Sequence, residues 1–236
     1  MAACTPAAPP RPEATVTVFA AASLTDALTE LAADYERNEG PAVRLSFGAS
    51  GAVARQVQAG APADVVILAD SEWMDRLGAA GRITRRVNLL RNDLVVIAQA
   101  RAADQTDPFA PLAQGGRLAI GDPDSVPAGA YARTWLQTSG RWAAVKDRLV
   151  FGADVRAVRA FVARGEAALG VVYRSDVVRR TDIRIVMEPR AAEQPAIVYP
   201  AAEVTGGGRK AQAFLDYLAT PAAASVFRRH GFMPAA

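Results

Sequence analysis

Four short stretches follow apolar, strand-like runs and look like the first turns of helices: Ser23-Leu-Thr-Asp26, Ser50-Gly51, Val126-Pro-Ala-Gly129 and Asp154-Val155. The N–H groups in a helix's first turn have no partner inside the helix, and the aligned peptide dipoles leave a partial positive charge there. Such an end favours an anion. Ser23 to Asp26 has capping-box spacing, with Ser23 at the N-cap and Asp26 at N3, and taken alone it serves only its own helix. Recurrence changes that reading, because in α/β sheets strand-to-helix turns lie at the carboxyl ends of the strands, where ligands bind. Gly51 and Gly129, lacking side chains, would let the backbone approach a ligand closely. The chemistry predicted is capture of a small oxyanion by hydroxyl and backbone donors. No GxxxxGK[ST] occurs and no GxGxxG follows a strand, so a nucleotide is disfavoured.

Catalysis has much weaker support. His230 is the sole histidine, and beside Gly231 it reads as a solvated histidine at a helix end. A hydrolase would have to bring it to Ser23 or Ser50, and no GxSxG elbow marks either serine. Asp64, Asp122, Asp124 and Asp154 read as turn or cap residues, and there is no histidine cluster to hold a metal.

The elements that would position these residues follow from periodicity. Strands are expected at 16–19, 43–47, 63–68, 94–98, 118–120, 169–173 and 183–186, with 197–204 leading to the C-terminal helices. Helices are expected from Ser23, where Leu24, Leu28, Leu31 and Tyr35 share a face, and after Ser50, Asp70, residue 130 and Asp154. The last two helices divide at Thr220-Pro221 and stop at Gly231. Strands alternating with helices predict parallel sheets covered on both faces. Two such series, separated by a polar loop near residue 100, predict two lobes. The terminal helices, with no strand partner of their own, would return to the first lobe. No repeat of 20–50 residues is present, which excludes a solenoid.

Composition narrows the partners. Of the 236 residues 51% are hydrophobic and 22% charged, and the net charge of +3 is scattered. Arginine pairs such as Arg85-Arg86, Arg179-Arg180 and Arg228-Arg229 read as solvated faces, so no nucleic-acid partner is expected. No apolar run approaches the roughly 18 residues of a membrane span. Pro6, Pro9, Pro10 and Pro12 predict a disordered leader over 1–14. Cys4 is the only cysteine, which excludes an intrachain disulfide or thiolate metal site. Met1-Ala-Ala-Cys4 fits the remnant of a cut-back signal sequence, with lipid attachment at Cys4 or an accidental leader residue as alternatives.

Four segments in order, Val18-Phe-Ala-Ala-Ala-Ser-Leu24, Ala54-Arg-Gln-Val57 with Ala59-Gly-Ala-Pro-Ala-Asp64, Gly121-Asp-Pro-Asp-Ser-Val-Pro-Ala-Gly129 and Leu169-Gly-Val-Val-Tyr-Arg-Ser-Asp176, resemble the periplasmic molybdate-binding proteins of bacterial ABC transporters. The likeness runs from Thr15 to the C-terminus. It implies an α/β, type II periplasmic-binding-protein fold: two lobes with mixed, mostly parallel sheets joined by a hinge. Lobe 1 would hold 15–92 plus 200–236, and lobe 2 would hold 93–199. It also implies a periplasmic monomer, with no cofactor, that binds molybdate or tungstate between the lobes and hands it to a membrane permease. Carried over by position, the ligand contacts fall on Ser23 and Ser50 from one lobe. From the other come Ala128 and Val155, through backbone N–H, and Tyr173 through its hydroxyl. Without the resemblance, Tyr173 reads as a core aromatic at a strand end. Phe47-Gly-Ala-Ser-Gly51 departs from the family in having fewer serines. A same-fold protein for another oxyanion such as sulfate is the nearest rival. The effector domain of a transcription regulator would share the architecture, but no helix-turn-helix segment precedes Thr15.

Overall fold

The structure, a computed structural model, describes residues 15–38 and 40–235. The leader over 1–14, with Cys4, lies outside the described residues. In chain order, β1 (Val16–Ala21) leads through a 3-10 turn at Ala22–Leu24 into α1 (Thr25–Arg37). β2 (Val43–Gly48), α2 (Ser50–Gln58), β3 (Val65–Ile67), α3 (Ser71–Ala79) and β4 (Ile83–Asn92) follow. Then come β5 (Leu94–Gln99), α4 (Ala110–Ala113), β6 (Leu118–Gly121), α5 (Pro127–Thr138), α6 (Trp142–Val145) and β7 (Leu149–Gly152). α7 (Val155–Arg164), β8 (Leu169–Tyr173), β9 (Ile183–Met187), β10 (Ile197–Val204), α8 (Gly208–Leu218), α9 (Pro221–Arg229) and β11 (Met233–Pro234) complete the chain.

The strands form two sheets, ordered β11-β4-β10-β3-β1-β2 and β7-β6-β8-β5-β9. Pairing is parallel where strands are joined through helices: β1 with β2 and β3, and β6 with β7 and β8. It is antiparallel wherever β4, β5, β9, β10 or β11 takes part. Each sheet is therefore mixed, and the predominance of parallel pairing expected from the βα rhythm holds in only one part of each. The reason is that β4 and β10 run beside one another as the chain leaves and re-enters the first sheet.

The chain crosses between the sheets ahead of the polar loop near residue 100. β4 ends at Asn92 in the first sheet and β5 begins at Leu94 in the second, with only Asp93 between them. β4 itself escapes the strand pattern because Arg85, Arg86 and Asn88 stand exposed among its few apolar residues. Leu24 of the 3-10 turn and Leu28 and Leu31 of α1 bury the anticipated face. Tyr35 packs edge-on against Phe214 of α8, with ring centroids 5.1 Å apart. The C-terminal helices thus cover the first sheet.

His230 is not a solvated helix-end residue. Its Nε2 lies 2.7 Å from Glu30 Oε2 on α1, and its side chain is largely buried. The bonds from His230 and then Arg229 hold the Glu30 carboxyl below the usual glutamate range. The pair staples α9 to α1.

Candidate functional site

One narrow interlobe cleft is lined by Ser23, Ser50, Ala128, Val155 and Tyr173 together. Each is delivered by the carboxyl end of a strand. β1 delivers Ser23, β2 delivers Ser50 at the first position of α2, and β6 leads to Ala128 in the first turn of α5. β7 leads to Val155 at the start of α7, and Tyr173 closes β8.

Local sequence explains two of the helix starts. Pro127 suits the first helical position, where its missing N–H is not needed. Asp154 caps α7 by accepting from Ala157 N–H at 2.9 Å, and Val155, the next residue, lines the cleft. Neither Ala128 N–H nor Val155 N–H has a backbone or side-chain acceptor among the described residues. Ser50 opens α2 with its side chain buried, and its Oγ accepts the Ala69 N–H at 3.0 Å. A backbone N–H can only donate, so the Ser50 proton remains available to the cleft.

Ser23 behaves differently from the capping box that its spacing suggested. The chain makes a 3-10 turn before α1, so Leu24 takes the N-cap position and no side chain caps the helix. Ser23 Oγ instead meets the Tyr199 hydroxyl at 3.0 Å, across 176 residues of sequence. Freed from capping, it belongs to the cleft.

Tyr173 is fully buried, and its hydroxyl has no hydrogen-bond partner among the described residues. Burial pushes its phenol well above the usual tyrosine range, so it keeps its proton. Just beyond it, Asp176 is buried and accepts the Tyr173 N–H at 3.2 Å. Burial pushes the Asp176 carboxyl up to about 7, against the pull of Arg159 and that N–H towards the anion.

The two glycines do not serve ligand approach. A Cβ on Gly129 would stand 1.9 Å from the Gly121 carbonyl oxygen, so this glycine lets α5 press against β6. Gly51 N–H donates at 3.1 Å to the Ser125 carbonyl of the facing lobe, and a Cβ there would meet that oxygen at 2.7 Å. Gly51 is thus a lobe-to-lobe contact. Two further bonds span the cleft: Tyr131 Oη donates to Asp70 Oδ2 at 3.0 Å, and Arg156 pairs with Asp26 at 3.2 Å. Sequence reasoning missed these and Tyr199, because each joins residues far apart in the chain with no local signature.

Nothing in the cleft resembles a catalytic set. Ser23 is engaged by Tyr199, Ser50 by Ala69 and His230 by Glu30. No cluster of three potential metal ligands occurs among the described residues. The walls are mostly small apolar residues, with the hydroxyls of Ser23, Ser50 and Tyr173 among them and the Asp154 carboxylate at the start of α7. Two α/β lobes crossed by the chain and closing on donor-bearing helix starts define a solute-binding protein that grips an anion.

The comparisons agree. The profile of the bacterial extracellular solute-binding protein family matches residues 16–233. The chain is 42% identical to the molybdate-binding protein ModA of Escherichia coli, over 93% of this chain and 89% of that one. It is 39% identical to ModA of Haemophilus influenzae, over 93% and 90%. The solved periplasmic molybdate-binding protein of Azotobacter vinelandii superposes with a TM-score of 0.81 at 26% identity, covering 92% of this chain and 98% of that one. The chain belongs to the molybdate-binding protein family of bacterial extracellular solute-binding proteins.

Proposed function

We propose that this protein captures molybdate or tungstate as the fully deprotonated dianion, and that the contacts are the hydroxyls of Ser23, Ser50 and Tyr173 and the N–H groups of Ala128 and Val155. The observation that carries this reading is the Tyr173 hydroxyl: fully buried, protonated, and without a hydrogen-bond partner among the described residues. A buried donor left unmet costs about 1–3 kcal/mol, so its position favours a ligand that supplies an acceptor. Neutral donors also avoid burying a counter-charge, whose desolvation can outweigh its attraction.

Binding would bridge the lobes and favour the closed state. The role is transport, not catalysis: a periplasmic monomer that presents the closed, loaded form to the membrane permease of an ABC importer. Titration calorimetry with molybdate, tungstate and sulfate tests it. Tight 1:1 binding of the first two, with sulfate far weaker, is the expected result. Clear sulfate binding with no heat from molybdate or tungstate would overturn the assignment.

A further inference from the structure

We infer that Asp70 and Tyr131 form a latch across the rim of the cleft, touching no ligand themselves, and that this one bond sets how long the closed protein holds its anion. The inference rests on the oxyanion reading above and adds to it the residues that govern release. Asp70 ends the turn between β3 and α3 in the first lobe, and Tyr131 stands on α5 in the second. Neither lines the anion cleft, but each is tied to a residue that does.

On the first lobe, Ser50 Oγ accepts the N–H of Ala69, which lines the cleft, and Asp70 is the next residue. The two oxygens of the Asp70 carboxylate have different tasks. Oδ1 accepts the Trp73 N–H at 2.9 Å and caps α3. A capping side chain is held by the helix it caps, so Oδ2 is presented in a fixed direction, towards the facing lobe. There it accepts the Tyr131 hydroxyl at 3.0 Å. On the second lobe, Tyr131 follows Ala128 by three residues on α5, which places the two on one side of the helix. The latch therefore joins the elements that form opposite walls of the cleft, one residue from Ala69 and one helical turn from Ala128. Trp73 also lies against Gly51, whose N–H bonds to Ser125 just ahead of α5, so this rim closes at two adjoining points.

Burial, and then the nearby Asp70 charge, raises the Tyr131 phenol above the usual tyrosine range, so the hydroxyl keeps its proton and donates. A hydroxyl donating to a carboxylate is charge-assisted, roughly twice as strong as a neutral bond. Tyrosine also brings it at a low cost in side-chain entropy. The ion pair of Arg156 with Asp26, which spans the cleft as well, lies exposed, where such a pair holds little. Opening the lobes parts Asp70 from Tyr131 together with the walls that carry them. The latch thus acts on the closed state alone: it slows opening and leaves entry into the open cleft untouched.

The test reads association and release separately on the full protein. Stopped-flow tryptophan fluorescence follows association with molybdate, and loss of radiolabelled molybdate into an excess of unlabelled molybdate follows release. Tyr131→Phe keeps the ring and removes the bond. Asp70→Ser keeps an N-cap for α3 but is too short to reach Tyr131 as well. Each should speed release by about 5- to 15-fold, the low end for a bond to a charged group because the pair is only partly buried. Association should stay within about twofold of wild type. The double variant should release no faster than the faster single one, because both changes remove the same bond. Asp26→Asn, which breaks the exposed pair, should alter release by less than about twofold. Unchanged release in Tyr131→Phe, a loss of affinity carried by slower association, or fully multiplicative effects in the double variant would overturn the latch and leave molybdate capture standing. If wild type takes up no molybdate, both fall.

Discussion

Replacing Tyr173 by phenylalanine should push stability and affinity in opposite directions. The ring packs edge-on to Tyr199 at 5.7 Å between centroids, and the side chain is almost wholly buried, so phenylalanine keeps the packing. What disappears is a hydroxyl without a hydrogen-bond partner among the described residues. Removing it relieves a desolvation cost of about 1–3 kcal/mol in the unliganded protein. For a chain of this size each kcal/mol corresponds to about 2–4 °C in the unfolding midpoint. The unliganded variant should therefore melt at least about 2 °C higher than wild type. In the complex the same hydroxyl would donate to a charged oxygen, a bond worth about 1.5–3 kcal/mol. Its loss should weaken molybdate binding by about 10- to 150-fold. Differential scanning calorimetry without ligand and titration calorimetry with molybdate read the two halves separately. A lower unliganded midpoint, or an unchanged affinity, would refute the argument that Tyr173 is a donor held ready for the anion.

Other substitutions probe other parts of the cleft. Ser50→Ala removes both the donor proposed for the ligand and the acceptor of the buried Ala69 N–H. It should cost about 1–3 kcal/mol of stability and lower molybdate affinity at least about tenfold, seen by urea unfolding and calorimetry. Gly51→Ala places a methyl 2.7 Å from the Ser125 carbonyl oxygen. It should hinder closure and weaken binding by about 1–3 kcal/mol, with less compaction on ligand addition in solution scattering; full compaction at wild-type affinity would contradict the contact. Asp176 holds its proton more tightly folded, with a carboxyl at about 7, than unfolded. Its contribution is therefore fully present below about pH 4 and declines as pH rises towards 7. In Asp176→Asn that decline should vanish from the pH dependence of the unfolding midpoint, and an unaltered profile would count against the buried carboxyl.

The helix starts were legible because their signals are local. Pro127, Asp70 and Asp154 act within three residues of themselves, and the structure places each at the expected start. Ser23 shows the limit of that logic. Its spacing to Asp26 satisfies a helix-capping pattern, yet a tertiary partner 176 residues away claims the hydroxyl. β4 was hidden because its arginines mask the alternation that marks a strand. Asn92 and Tyr199 carry no motif at all, since their hydrogen bond arises only when the two lobe crossings lie side by side. Gly51 was visible, but its purpose was misread: permissive backbone shows that something approaches closely, without saying whether it is a ligand or the facing lobe.

The crossing at Asp93 has a consequence for discrimination by size. Molybdate and sulfate make the same demands on a cleft of donors, so the remaining difference between them is girth. Gauging girth requires jaws that return to the same gap at every closure. Here one residue separates the strands of the two sheets, and Gln194 from the returning segment accepts the Leu94 N–H at 2.8 Å. Asn92 and Tyr199 tie the two passages together again. A pivot so short and doubly laced leaves little room for sliding and permits rotation about a fixed axis. The lobes then act as a calliper, whose accuracy is set at the pivot and read at the tips.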